Sequence, residues 1–237
     1  MAHSTIVTPT PEGGFQTHKV AHHFRTAEQE FQAAKFGFWL FLATEMMLFG
    51  GLFAAYIYFH GVYSETFRVG GSLLNWKLGA LNTVVLLTSS WTMATAVRAA
   101  QTSQRKSMVM WLSLTVLCAI GFLVIKYIEY SGKYEHGIFP FTGIFGDGPI
   151  FEPTGYYAEA LQGLAYPQLY FNLYFTMTGL HGLHVLVGVI AICWLIWRGK
   201  QGRFHSGWYT PVELIGLYWH VVDLIWIFLF PLLYLVP

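Results

Sequence analysis

Residues 214–236, LIGLYWHVVDLIWIFLFPLLYLV, form an apolar stretch whose only carboxylate is Asp223 and which contains no Lys or Arg. About 20 such residues cross the hydrocarbon core of a bilayer as an α-helix. Four further stretches of comparable length and character occupy residues 36–59, 77–97, 108–129 and 170–197. Transmembrane strands need only about 10 alternating residues, so these runs indicate helices instead of a barrel. The sequence therefore predicts an all-α, polytopic membrane bundle with five transmembrane helices.

The composition agrees with a membrane protein and excludes several other classes. Of 237 residues, 55% are hydrophobic and only 11% are charged, whereas about a quarter of the residues in an average soluble domain are charged. The net charge of +1 without a basic stripe excludes nucleic acid as a partner. Two cysteines are too few for a secreted disulfide scaffold.

The chain divides into a polar N-terminal segment, residues 1–34, and a five-helix transmembrane domain, residues 35–237, with one long external loop at 130–169. An interfacial helix is possible at 27–34. Basic residues cluster on one side of the predicted spans, and by the positive-inside rule that side is cytoplasmic. The nine residues on that side are Lys19, Arg25, Lys35, Arg98, Arg105, Lys106, Arg198, Lys200 and Arg203. We therefore expect a cytoplasmic N-terminus and an external C-terminus.

Five ionisable side chains lie deep in the predicted spans, where each costs at least about 2.5–3.5 kcal/mol to insert. They are Glu45, His181, His184, His220 and Asp223. Glu45 lies near the middle of the first span. It is either a neutral acid that bonds to a neighbouring helix or a proton-relay or carboxylate-reactive site.

The histidines and the aspartate fall into two pairs with the same spacing. His181 and His184 are three residues apart on the fourth span, as are His220 and Asp223 on the fifth. Each pair therefore shares a helical face. The residues alone leave three possibilities open: an interhelical hydrogen-bond clamp, a haem or metal site, and a proton path.

Two other features concern helix contacts and span ends. Gly50 with Ala54, and Gly51 with Ala55, form small-xxx-small pairs that permit close helix approach. Glu129 is expected to form an interfacial salt bridge with Lys126, whose side chain would extend toward the membrane surface. Aromatic residues at the span ends are assigned to an interfacial belt that includes Tyr170 and Tyr174.

Four stretches resemble subunit III of the haem–copper respiratory oxidases, the cytochrome c oxidase subunit III family. They are KFGFWLFLATE at 35–45, ALNTVVLLTSS at 80–90, GLHGLHV at 179–185 and YWHVVDLIW at 218–226. The third is similar to a family Gly-x-His-Gly-x-His motif and the fourth to a Tyr-Trp-His-Phe-Val-Asp segment. The resemblance covers about residues 30–237, and Asn82 belongs to its second stretch as a helix-packing residue.

The resemblance implies a non-catalytic accessory subunit of a bacterial inner-membrane oxidase that reduces oxygen and pumps protons. No catalytic residue, metal ligand or cofactor is then expected in this chain, because the haems and copper belong to partner subunits I and II. Subunit I would be the main contact, phospholipid would be bound, and cytochrome c or quinol would donate electrons elsewhere. Glu45 corresponds to the family carboxyl that reacts with carbodiimides, and Glu129 to a family glutamate at a helix end.

One departure limits this transfer. Longer family members have seven helices and hold lipids in a cleft beside the first two, which this sequence lacks. Lipid-site residues on those helices cannot be carried over, and a larger partner subunit is a possible source of the absent pair. A quinol oxidase or nitric-oxide reductase subunit remains an alternative, and a haem-binding membrane enzyme or small proton-coupled transporter is a more distant one.

Overall fold

The computed structural model describes residues 26–138 and 151–236, together with the backbone of two short strands near the N-terminus. Strands β1 (Thr5–Pro9) and β2 (Phe15–Lys19) pair antiparallel, with Thr5 opposite Lys19. All other regular elements in the described residues are helices. These are α1 (Ala27–Val62), α2 (Ser64–Ser72), α3 (Trp76–Gln101), α4 (Arg105–Glu135), α5 (Tyr156–Leu161), α6 (Pro167–Lys200) and α7 (Thr210–Tyr234).

Five of these helices, α1, α3, α4, α6 and α7, are long and apolar enough to cross a membrane. The predicted helical fold is thereby confirmed, with five helices that are candidates for spanning a membrane. Helix α1 begins at Ala27, so residues 27–34 form a continuous part of it instead of a separate interfacial helix. Large apolar side chains, among them Phe36 and Met47 on α1, remain exposed for contact with lipid or a partner.

The long connection is shorter and more structured than the predicted loop at 130–169. Helix α4 continues to Glu135, α5 occupies Tyr156–Leu161 and α6 begins at Pro167, while residues 139–150 lie outside the described part. Gly137 has a φ of +75°, and a Cβ built there would clash with the Glu152 carbonyl oxygen. The close turn after α4 therefore requires glycine.

The chain forms two compact units. The first comprises Met1–Glu45, Thr88–Leu117 and Val187–Val221, and the second comprises Met46–Leu87, Cys118–Leu186 and Val222–Pro237. Each of the five long helices contributes residues to both units, which are described separately below.

In the first unit, α1, α3, α4, α6 and α7 are joined by close side-chain contacts. The Thr92 and Thr115 hydroxyls are 2.8 Å apart between α3 and α4. Gly188 of α6 lies directly against the Trp219 ring of α7, because a Cβ at Gly188 would be 2.7 Å from Trp219 Cζ3. The Trp219 indole N–H donates to Ser89 Oγ at 3.0 Å and so connects α7 to α3.

The second unit contains the short helix α2 as well as parts of the long helices. Thr66 of α2 donates its hydroxyl to the Ala165 carbonyl oxygen at 2.8 Å, which holds α2 beside the start of α6. Tyr56 of α1 donates to the Leu232 carbonyl oxygen on α7 at 3.0 Å. These bonds satisfy polar groups that would be costly inside a membrane bundle.

Candidate functional site

The six polar residues predicted in the spans are divided between the two units. Glu45 and His220 belong to the first unit, whereas Glu129, His181, His184 and Asp223 belong to the second. Their surroundings differ, so each group is considered in turn.

Glu129 is the centre of the most extensive polar network in the described residues of the second unit. Its Oε2 accepts a hydrogen bond from Lys126 Nζ at 2.9 Å, and its Oε1 accepts one from Lys133 Nζ at 3.1 Å. Tyr174 of α6 and Tyr234 of α7 each donate a hydroxyl to Glu129 Oε1 at 2.8 Å. We call these five residues the buried ion cluster.

Lys126 connects the same three helices a second time. Besides its bond to Glu129, its ammonium group donates to the hydroxyl oxygens of Tyr174 at 3.0 Å and Tyr234 at 2.9 Å. All three protons of the ammonium group are therefore matched by acceptors on α4, α6 and α7. The network balances the cost of burying charge by satisfying the charged groups in good geometry.

The predicted salt bridge between Lys126 and Glu129 is present, and it is buried within the bundle. Lys126 and Glu129 are only 6% and 7% exposed, and Lys126 points into the bundle instead of extending toward the surface. The reason is that α4 continues beyond Glu129 to Glu135, with Tyr174 and Tyr234 packed beside it. The assignment of Tyr170 and Tyr174 to an interfacial belt is wrong, since both are fully buried.

Three members of the buried ion cluster were not foreseen from the sequence. Lys133 could have been found, because it follows Glu129 by four residues and Lys126 by seven, and so lies on the same face of α4. Tyr174 and Tyr234 come from other helices, and no local pattern indicates that they meet Glu129.

His181 and His184 are placed differently despite their shared spacing. His181 is fully buried, and its ring centroid lies 5.4 Å from that of Phe122 and 5.2 Å from that of Trp226. His184 is half-buried; its Nδ1 is 2.8 Å from the Leu180 carbonyl oxygen, and its ring packs against Phe49. The two imidazoles thus have aromatic and backbone neighbours on their own and adjacent helices.

His220 contacts α3 through Ser90. Its Nδ1 lies 2.7 Å from Ser90 Oγ, within the first unit. Asp223 is one turn further along α7, where it is 2% exposed and belongs to the second unit. The described residues contain no group of three or more His, Cys, Asp or Glu side chains that could hold a metal ion.

Glu45 is a half-buried residue of α1 in the first unit. Helices α1 and α7 meet where Phe41 stacks on Tyr218, with ring centroids 6.2 Å apart, and where Lys35 Nζ donates to Glu213 Oε1 at 2.9 Å. Glu45 follows Phe41 by four residues, so the two lie on the same face of α1. Glu45 therefore belongs to the contact between α1 and α7.

The predicted small-residue stripe on α1 is open toward the rest of the described chain. A Cβ added at Gly50 or Gly51 would meet no described atom within 4 Å, and Ala54 is exposed. Close helix approach instead occurs at glycines that the sequence analysis did not single out. They include Gly70 against Tyr170, Gly79 against Phe230, Gly188 against Trp219, Gly199 against Met108 and Gly216 against Val97. Asn82, the other predicted packing residue, is fully buried on α3.

Comparison with known proteins decides which family these helices represent. The family model for cytochrome c oxidase subunit III matches residues 16–165 and 153–236, which is most of the chain. The chain belongs to the cytochrome c oxidase subunit III family. The resemblance carried by the four sequence stretches is thereby confirmed, and the chain is a membrane subunit related to oxidase components.

Individual relatives include both oxidase types. Cytochrome c oxidase subunit 3 of Thermostichus vulcanus is 31% identical over 200 residues, covering 84% of this chain and 85% of its own. The protein of the same name in Wickerhamomyces canadensis is 31% identical over 209 residues, but only 66% of its length is covered. Probable quinol oxidase subunit 3 of Staphylococcus aureus strain USA300 is 28% identical over 215 residues, covering 90% of this chain and 92% of its own.

Proposed function

We propose that this subunit III is a non-catalytic accessory component of an aerobic haem–copper terminal oxidase that reduces oxygen and pumps protons. The chain itself carries no redox centre, and the haems and copper belong to partner subunits I and II. It stabilises subunit I, its associated phospholipid and its proton uptake. Electrons enter the complex elsewhere.

The observation that carries this proposal is that polar groups deep in the bundle are engaged in contacts between helices. Glu129 holds α4, α6 and α7 together through Lys126, Tyr174 and Tyr234. His220 contacts Ser90 of α3. His181 is enclosed by aromatic rings, so its surroundings do not resemble the paired axial sites of a haem held between helices. These residues support a scaffold role.

Deletion of the subunit tests this function directly. An oxidase purified without this chain is expected to retain its haem spectrum and initial oxygen consumption, but to lose activity faster during sustained turnover. Restoring the chain should restore the lifetime of activity. An oxidase without this chain that consumes no oxygen from the first turnover would contradict an accessory role. A Soret band stoichiometric with the isolated chain would contradict it as well.

Subunit I is proposed to contact the exposed face of α1. The apolar side chains and the open Gly50 and Gly51 leave room there for another helix. The longer Wickerhamomyces relative shows that family members differ in length. In this complex, a helix of subunit I would cover the exposed face of α1. In longer family members, additional segments of subunit III itself would cover the equivalent face.

A quinol oxidase is the second candidate for the complex, because the Staphylococcus relative carries that description and matches nearly the whole chain. Nothing among the described contacts of this subunit selects the electron donor. Purifying the intact complex and assaying reduced cytochrome c and quinol separately distinguishes the two. Oxygen consumption with only one donor identifies the complex to which the subunit belongs.

The proposed location is the inner membrane of a bacterium, with the N-terminus in the cytoplasm. Basic residues at the α3–α4 and α6–α7 connections support this orientation. A single cysteine at Ser103, in a variant without Cys118 and Cys193, should react with an impermeant maleimide only in inverted vesicles. A cysteine at Thr154 should react only in intact spheroplasts, and the reverse pattern would invert the topology.

A further inference from the structure

Two fully buried polar side chains in the second unit have no hydrogen-bond partner among the residues that the structure describes. Asn82 on α3 and His181 on α6 are both 0% exposed. Among the residues that the structure describes, neither the amide oxygen and nitrogen of Asn82 nor the two ring nitrogens of His181 has a partner. Because both amide atoms of Asn82 are unpaired, exchanging their assignment would not change this result.

Trp226 of α7 contacts both His181 and the residue that follows Asn82 on α3. Its ring centroid is 5.2 Å from that of His181, and its indole N–H donates to Thr83 Oγ1, the residue next to Asn82, at 3.1 Å. Phe122 of α4 completes the surroundings, with its ring centroid 4.9 Å from that of Trp226. Phe122 carries no hydrogen-bonding atom and the indole N–H of Trp226 is already bonded to Thr83, so these two rings leave the ring nitrogens of His181 unsatisfied.

Such groups are rarely left unsatisfied in a folded protein. Nearly all buried polar atoms have a partner, and an ordered internal water supplies it where the protein does not. The requirement is stricter in a membrane bundle, because no bulk solvent reaches the helices at this depth. Complete burial of both side chains also restricts any occupant to a very small polar molecule.

We propose that Asn82 and His181 form one internal hydration site, in which ordered water bridges α3 and α6 beside Trp226. A neutral imidazole offers one donor and one acceptor, and the carboxamide offers both kinds of group. A water molecule can therefore accept a hydrogen bond from one side chain while it donates a hydrogen bond to the other. This site does not depend on which oxidase contains the subunit.

A high-resolution map of the intact oxidase provides the direct test. Ordered density within hydrogen-bond distance of both side chains is expected. A map that resolves other internal waters but shows none between Asn82 and His181 would overturn the proposal. This measurement uses the unmodified complex, so it remains decisive if a variant does not assemble.

A double-mutant cycle tests whether the two residues share the site. Asn82→Leu and His181→Phe should each lower the midpoint for heat-induced loss of subunit III from the purified oxidase by at least about 2 °C. The double variant should lower it by no more than the larger single change, because either substitution already disrupts the common water. Additive shifts, or a higher midpoint in either single variant, would refute a shared site.

A directly bonded pair calibrates the measurement. Ser89→Ala and Trp219→Phe remove the two partners of a buried hydrogen bond, and their effects should likewise be less than additive. The water-bridged pair is expected to behave as this direct pair does.

Discussion

Lys133 Nζ lies 3.1 Å from Glu129 Oε1, one turn along α4, and both side chains are buried. Glu129 therefore lies between two lysines, since Lys126 occupies its other oxygen. The single carboxylate of Glu129 faces two ammonium groups. Removing it would leave more uncompensated charge than removing any other residue of the buried ion cluster. Breaking a buried ion pair on one side is more damaging than replacing the whole pair by apolar residues.

Glu129→Gln is expected to destabilise the subunit strongly. The amide keeps the shape of the side chain but removes the negative charge, leaving Lys126 and Lys133 buried without a counter-ion. The loss should be about 3–5 kcal/mol, the range for removing one partner of a buried pair. The loss is measured by heating samples of the purified oxidase to a series of temperatures and determining how much subunit III remains bound at each.

Glu65→Gln is the matched control. Glu65 accepts a hydrogen bond from Arg68 at 2.7 Å, with the same three-residue spacing as Lys126 and Glu129. The side chains of Glu65 and Arg68 are both solvent-exposed. Exposed pairs contribute little to stability, so this variant should retain wild-type subunit content. Equal losses in the two variants would show that burial of the ion cluster is not what matters.

Ser90→Ala and His220→Ala should each weaken assembly more than they change oxygen chemistry. Each variant leaves the other partner of a part-buried hydrogen bond unsatisfied, at a cost of about 1–3 kcal/mol. Thermal release of subunit III measures the loss, and oxygen consumption of the complex that remains is the second readout. Normal subunit content with abolished turnover would contradict a structural role for His220.

Ser113→Ala serves as the comparison for Ser90→Ala. The Ser113 hydroxyl is exposed and donates to the Val109 carbonyl oxygen of its own helix. Its removal breaks no contact between helices, so subunit release should remain at the wild-type temperature.

The sequence allowed the long helices and several of their polar residues to be predicted, because these features depend on local patterns. The apolar runs predict the five spans, and the three-residue spacing of Lys126 and Glu129 predicts their ion pair. Partners from distant parts of the chain were not predictable in this way. Ser90 and His220 are 130 residues apart, and their contact depends on how α3 packs against α7. Likewise, the small residues that begin at Gly50 indicate that another helix can approach α1 closely, but they do not indicate which helix it is.

Gly188→Ala is expected to destabilise the first unit. The added methyl group would lie 2.7 Å from Trp219 Cζ3, and the large indole is held in place by its bond to Ser89. Overpacking of this kind typically costs about 1–3 kcal/mol. Gly121→Ala is the control, since an added Cβ there meets no described atom within 4 Å. Equal thermal release of the two variants would refute close packing at Gly188.

Glu45→Gln should assemble almost normally. The amide is nearly isosteric, and the contacts of α1 with α7 through Phe41 and Lys35 are unaffected. Subunit III content should equal that of the wild type, while labelling of this position by a carboxyl-directed carbodiimide should disappear. Loss of the subunit from the complex would show that the carboxyl group itself is needed for assembly.

Gly50→Leu distinguishes folding of the subunit from its docking. Position 50 is exposed on α1 with open space around it, so a leucine should leave the contacts within the chain intact and favour the helix slightly. If a helix of subunit I packs there, the larger side chain should prevent close approach, and the variant should insert in the membrane but fail to co-purify with subunit I. Leu40→Ala, on the exposed surface of the same helix, should have a smaller effect. Undiminished co-purification of Gly50→Leu would place the interface on another face of the subunit.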